Sequence, residues 1–237
     1  MKIVITMLVV GFACLPLSAQ KVIEKNIAYS NQVIDVDVKF ASEIEVKTWD
    51  KSTVYFKATL RTKDGKYLEL YQLNVDEGNG YIGITSVPEP VFKAFHEEWE
   101  KNRPEGSHSY YHTHDLYTFD YILYVPKNAD FTVSSINGHL KADVIEGDFT
   151  ADLINGNIDI TKYKGNLDLK TINGEIDLVM QNSRLTAETI HGQIYADEKL
   201  ELKVTDRYVG QKVEGSFDNA THRLKLNTIN GNMYLRL

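Results

Sequence analysis

The tripeptide Ile136-Asn137-Gly138 returns as Ile154-Asn155-Gly156 and as Ile172-Asn173-Gly174. It comes once more, with one residue changed, as Ile190-His191-Gly192. The step is eighteen residues each time, Gly147 and Gly165 stand at the half-step of nine, and Ser183 holds the next half-step. A fixed period of this kind marks a chain built by stacking one small unit on itself.

Between the glycines, apolar and polar residues alternate. Ile158 and Ile160 flank Asp159, Ile176 and Leu178 flank Asp177, and Ile194 and Ala196 follow Gly192. The half-steps carry Phe149 and Ala151, Leu167 and Leu169, Leu185 and Ala187. Period two describes a strand with one buried face. A nine-residue unit has no room for the crossover helix that joins parallel strands within one sheet. Two arrangements remain: eighteen-residue coils of two strands each, stacked in parallel, or an antiparallel meander of nine-residue units. Asn-Gly is a common hairpin signal. A meander would use it at every turn, however, and here it comes at every second one.

The pattern therefore favours an all-β chain, a right-handed β-solenoid with about 18 residues per coil, plus one short inserted helix. Its repeat corners are expected at Asn137, Gly138, Asn155, Gly156, Asn173, Gly174, Gly192, Asn230 and Gly231. Glycine would supply a positive φ there, Asn tolerates one, and stacked Asn side chains can hydrogen-bond along the axis. Gly210 lies a further eighteen residues beyond Gly192, with Leu200, Leu202 and Val204 as the strand between. A longer last step reaches Ile229-Asn230-Gly231. Met233 to Leu237 then reads as an edge strand at an open end, a route to self-association.

Residues 1–19 begin with Lys2, run apolar from Ile3 to Leu17 and end in Ser18-Ala19, the layout of a secretory signal peptide. Cleavage there leaves Gln20 first. Lipid anchoring at Cys14 is the less favoured processing, because Gly11-Phe12-Ala13 fits a lipobox poorly. Cys14 is the one cysteine, so the mature chain has no disulfide, no Cys-based zinc site and no thiol chemistry. No other segment reads as a membrane-spanning helix. A net charge of −7 argues against a nucleic-acid partner. The expected location is outside the cytoplasm, in the periplasm or at the cell surface.

Residues 20–130 form an N-terminal β region, either degenerate coils or a cap, and residues 131–237 the regular repeats. Within the first region, residues 87–116 break the strand pattern. Val91, Phe92, Phe95 and Trp99 have helical spacing, with Lys93, Glu97, Glu98 and Glu100 opposite. One short amphipathic helix follows, most simply as a cover over an open sheet end, otherwise as an element over a binding surface. His108, His112 and His114 come next, with Asp115 beside them. These four are the candidate metal ligands, for Zn²⁺ or another divalent ion. No His-Glu-x-x-His spacing is present, and a polar, aromatic-rich surface loop accounts for the same residues. No cofactor is expected.

Val125-Pro126-Lys127, Val133 to Gly138 and the later Ile-Asn-Gly returns resemble the bacterial putative-adhesin domain family. The segment from Ile44-Glu45-Val46 through Trp49-Asp50 to Val54 is similar to that family's opening. The resemblance implies an exported or membrane-anchored β-solenoid domain, and it carries no catalytic residues. It covers most of the mature chain and leaves residues 87–115 unexplained.

Three functions are compatible with this reading. The favoured one is a non-enzymatic exported module that binds a protein or glycan at the cell envelope, using outward residues such as Asp159, Asp168, Lys170 and Asp177. The second is a carbohydrate-active enzyme on a β-helix face. Asp159 and Asp177 would then stand about one strand spacing (~4.8 Å) apart, with Lys141 before them and Tyr195 after. The third is an accessory role in envelope-stress sensing or signalling.

Overall fold

The computed structural model describes residues 20–103, 113, 115–206, 208–217 and 219–237. The expected signal peptide and Cys14 lie outside them, as do His108, His112 and His114. The chain is all-β with one α-helix. Its N-terminal strands are β1 (Gln20–Ala28), β2 (Val33–Asp37), β3 (Glu43–Trp49), β4 (Thr53–Thr62), β5 (Gln72–Gly78) and β6 (Tyr81–Val87). Helix α1 (Glu89–Asn102) follows, and then β7 (Tyr117–Pro126), β8 (Ala129–Asn137) and β9 (His139–Asn155). The repeats supply β10 (Ile158–Lys164), β11 (Leu167–Asn173), β12 (Ile176–Val179), β13 (Ser183–Thr189) and β14 (Ile194–Ala196). The last strands are β15 (Leu202–Asp206), β16 (Gln211–Ser216), β17 (His222–Asn230) and β18 (Met233–Arg236).

Two ladders carry these strands, joined through the seventeen residues of β9, which serve both. In the first, Ile158 pairs in parallel with Leu140 on one side and Ile176 on the other. In the second, Leu167 pairs in parallel with Phe149. These partners are eighteen residues apart, so a meander is ruled out for this stretch. The alternation places Ile158, Ile160, Leu167, Leu169, Ile176 and Leu178 in the interior, all essentially without solvent contact. Burying one such side chain is worth roughly 1.5–3 kcal/mol, which is the main drive for stacking.

The order in space departs from the order in sequence at the C-terminal end. Strand β17 pairs in parallel with β11 on one side and β13 on the other. Strand β18 likewise lies between β12 and β14. The last repeat is thus inserted between the two that precede it, and the expectation that Met233 to Leu237 forms an open edge is corrected: β18 is paired on both sides. The reason is visible in the motif. Thr228-Ile229-Asn230-Gly231 matches Thr171-Ile172-Asn173-Gly174 completely, whereas Thr189-Ile190-His191-Gly192 carries a histidine. The better match takes the inner place, and the atypical copy is outermost in the first ladder, while β16 lies beyond β13 in the second.

The stretch after β14 also differs from expectation. Strand β15 pairs antiparallel with β16, and β16 antiparallel with β13, so residues 202–216 fold back on the second ladder instead of forming a coil. Gly210 lies between the two strands of this hairpin at φ 80° and against Thr189, not at a stacked corner.

The N-terminal half joins the same ladders. Ile34 pairs with Phe131 and Ile44 with Leu140, both in parallel. Here too the first coil is enclosed, because β2 lies between β6 and β8, and β3 between β7 and β9. Antiparallel strands finish this end: β4 and then β1 beside β7, and β5 beside β6. Within this N-terminal β region, Leu68–Leu70 make a short 3-10 turn. Helix α1 is longer than its apolar spacing suggests, with Pro90 in its first turn, where a missing N–H costs nothing. It packs Val91 and Phe95 inward. Phe92 meets Phe40 edge-on at 5.1 Å and Tyr117 at 4.8 Å, and Phe95 meets Tyr67 at 4.9 Å. Beneath them Tyr71 and Tyr121 share a buried hydroxyl–hydroxyl bond of 2.9 Å.

Candidate functional site

The corner glycines form a column, and close approach explains them. A Cβ on Gly156 would stand 1.9 Å from the Gly138 carbonyl oxygen, on Gly174 2.0 Å from that of Gly156, and on Gly231 1.9 Å from that of Gly174. On Gly192 it would stand 1.9 Å from the Gly231 oxygen. Gly156, Gly174, Gly192 and Gly231 do not adopt the left-handed φ expected from the sequence, although Gly138 does, at 129°. Nor does any corner Asn have a positive φ. Space, not backbone conformation, demands these glycines.

The asparagines serve through their side chains. Asn155 Nδ2 donates to Asn137 Oδ1 at 2.9 Å, Asn173 to Asn155 at 2.8 Å, and Asn230 to Asn173 at 2.7 Å. The threonines two residues before them tie the column down. Thr171 donates to the Gly156 carbonyl, Thr228 to that of Gly174 and Thr189 to that of Gly231. The isoleucines between point outward instead. Ile154, Ile172, Ile229 and Ile190 are 38–45% exposed and form an apolar stripe along the second ladder. The sequence offered no sign of that, since an isoleucine in a repeat reads first as core.

These columns hold the outer face of the first ladder rigid, and one row on it draws attention. Register places Glu45 beside Lys141, then Asp159, Asp177, Tyr234 and Tyr195 in succession. The expectation that Tyr195 follows Asp177 directly is corrected: the inserted strand puts Tyr234 between them. Asp159 and Asp177 are cross-strand neighbours as expected. Burial pushes the Asp159 carboxyl above its ordinary range and the Asp177 charge adds to this, against the opposing charge of Lys141. Asp177 is answered by Arg236, whose Nη2 lies 2.6 Å from Oδ1. Lys141 Nζ reaches Glu43 at 2.8 Å. On the second ladder, Lys225 bonds Asp168 at 3.3 Å, and Lys170 lies 3.7 Å from the same carboxylate.

At the end of the row the Tyr195 and Tyr234 rings stack at 5.4 Å and 10°. Tyr195 donates its hydroxyl to Gln193 at 2.8 Å and Tyr234 donates to Glu175 at 3.2 Å. Asn232 also reaches Glu175, and accepts the Gln193 backbone N–H. A polar row of Glu175, Asn232 and Gln193 therefore runs beside Asp177, Tyr234 and Tyr195. The opposite end of the same face is aromatic too. Trp49 lies 4.8 Å from Tyr124 and 6.2 Å from Tyr55. There, however, Lys51 stands over the Trp49 ring at 4.5 Å and Lys47 over Tyr124 at 5.5 Å.

Of the four candidate metal ligands, Asp115 is described. It lies exposed in the turn before β7. Among the described residues no group of three or more His, Cys, Asp or Glu side chains is placed to hold a metal ion. No helix among them is long and apolar enough to cross a membrane.

No known family model matches this sequence. No curated protein matches it closely. Solved structures do. One described as a putative cell adhesion protein from Clostridium sporogenes aligns with a TM-score of 0.59 at 9% identity, covering 92% of this chain and 99% of that one. A putative adhesin from Bacteroides fragilis aligns more loosely, at TM-score 0.38 and 7% identity, over 91% of this chain and 97% of its own. The first likeness is one of fold, over 92% of this chain.

Proposed function

We propose that this chain is an exported, non-enzymatic binding module of the cell envelope, adhesin-like, that holds a protein or glycan partner on the outer faces of its stacked strands. In this reading it is a member of the adhesin-like family that its Ile-Asn-Gly repeats resemble. Its coils wind as a right-handed solenoid, and residues 1–19 are removed to leave Gln20 first, in the periplasm or at the surface. The observation that carries the proposal is the outward row Asp177–Tyr234–Tyr195, set on strands that glycine and asparagine columns hold in fixed register. Stacked-strand proteins bind through extended faces of this kind and need no deep cleft. The fold shared with a structure described as a cell adhesion protein supports it further.

An enzyme built on Asp159 and Asp177 is the weaker reading. Arg236 and Lys141 are engaged beside the pair, and the carboxylates stand on an open strand face. The test is to label residues 20–237 and measure binding to isolated cell envelopes against cytosolic protein, with the N-terminus of the secreted form read by mass spectrometry. Saturable binding to envelopes and an N-terminus at Gln20 are expected. Envelope binding no greater than cytosolic binding would overturn the assignment.

A further inference from the structure

The Tyr195 end of the outer row differs from the Trp49 end. Strand β14 pairs only with β18 among the described strands, so no strand lies beyond it in this ladder. One face of the Tyr195 ring rests on Tyr234, and the side chain is still 49% exposed. Its hydroxyl is tied to Gln193 and that of Tyr234 to Glu175, so both rings are fixed before any partner arrives. A preset aromatic surface binds with little loss of side-chain entropy. At the Trp49 end, by contrast, lysines already occupy the ring faces.

We infer that Tyr195, with Gln193, Glu175 and Asp177 beside it, forms a subsite for a neutral, hydroxyl-rich glycan, one sugar ring lying on the open face of Tyr195; this rests on the binding-module reading above. The C–H face of a pyranose is apolar with a slight positive edge, which suits the negative face of an aromatic ring. Its hydroxyls need acceptors, and the adjacent row supplies a carboxylamide and two carboxylates. The same row turns away anions. Glu175, Asp177 and Asp159 lie together, the carboxyl of Asp159 is already raised in part by Asp177, and the chain carries a net −7. Arg236 answers Asp177, and the other two carboxylates still disfavour acidic sugars. An added polypeptide strand is the poorer occupant, because β14 has three residues and offers too few backbone groups for strand addition.

The experiment titrates residues 20–237 with chitohexaose, cellohexaose and hexagalacturonate, using NMR chemical shifts and calorimetry, alongside Tyr195→Ala, Tyr195→Phe and Asp177→Asn. Binding to isolated envelopes is measured for each variant, and urea melts confirm folding. We expect a neutral hexasaccharide to bind with shifts confined to residues near 193–196 and 232–235. Tyr195→Ala should weaken it at least tenfold, Tyr195→Phe less than threefold, and hexagalacturonate should not bind. If envelopes bind wild type and Tyr195→Ala equally, or if their binding is lost on protease treatment of the envelopes, the glycan subsite is wrong while the binding module stands. If neither envelopes nor sugars bind wild type, both fall. If Tyr195→Ala does not fold, equal binding by wild type and Tyr195→Phe together with weakened binding by Asp177→Asn still supports the subsite, and unchanged binding by Asp177→Asn overturns it.

Discussion

Gly192 stacks on Gly231, which follows it in the chain, and not on Gly174, which precedes it by one repeat. The last repeat has entered the stack between two earlier ones. Insertion brings Tyr234 against Tyr195 and next to Asp177.

The glycine column predicts a sharp positional contrast. Gly231→Ala would place a methyl against the Gly174 carbonyl, a backbone atom that cannot step aside. The cost should be at least about 3 kcal/mol, the upper part of the range for overpacking. Gly78→Ala, where a Cβ meets nothing within 4 Å, should lie within about 0.5 kcal/mol of wild type. Urea denaturation of both variants decides the matter.

The asparagine ladder predicts effects of opposite sign at its middle and its end. Asn173 takes part in two side-chain bonds, to Asn155 and from Asn230, so Asn173→Ala should cost about 1–2 kcal/mol. His191 occupies the next position beyond Asn230, its backbone N–H held by Ile229. His191→Asn would add a rung and should stabilise the fold by about 0.5–1 kcal/mol. Denaturant midpoints measured on the two variants side by side give both signs at once.

How much of this could be read beforehand follows from what each residue is for. The inward face was legible, because burial imposes period two, and so was the parallel pairing of residues eighteen apart in β9 to β12. Glycine was legible as a residue type but not for its reason: the sequence suggested a positive φ at Gly156, and the structure gives a neighbouring carbonyl in its place. The inserted coil was not legible, since a repeat pairs with whichever copy fits best and adjacency in sequence does not fix the choice. The displaced copy does carry a visible difference, the His191 that breaks the Asn series. The outer row inherits this blindness: its carboxylates and Tyr195 were named in advance, but Tyr234 was not, because its place in the row exists only after insertion.

Asp159 makes stability depend on pH in an uncommon direction. Its carboxyl is raised in the folded protein by burial and by Asp177, so the folded state holds the proton more tightly than the unfolded one. Stability contributed by this group is therefore greatest below the unfolded value and falls as pH rises through the folded one. Asp159→Asn should be more stable than wild type at neutral pH, and the difference should fade toward acid. Urea midpoints across that range check both the sign and the trend.

At the other extreme, burial pushes the Tyr71 phenol from 10.0 up to about 12 and raises Tyr121 well above its ordinary value. The unfolded phenols release protons first as pH rises through this window. The fold should keep its stability below pH 10.0 and lose it progressively toward about 12. Replacing both by phenylalanine removes both titrating phenols, although it leaves the buried Ser86 hydroxyl beside them, and should flatten the loss. Tyrosinate absorbance followed together with denaturant midpoints measures it.

The most direct test of the inserted repeat uses cysteine pairs on the outer face of the second ladder, in residues 20–237, which contain no cysteine. Thr186 and Lys225 are register partners, and so are Asp168 and Lys225, which leaves Asp168 and Thr186 two strands apart, about 9.6 Å. Thr186→Cys with Lys225→Cys should form a disulfide on mild oxidation. Asp168→Cys with Thr186→Cys, eighteen residues apart in sequence, should not, because that separation exceeds the reach of the bond. The reverse outcome would mean that the repeats stack in sequence order, and the paired tyrosines of the outer row would go with it.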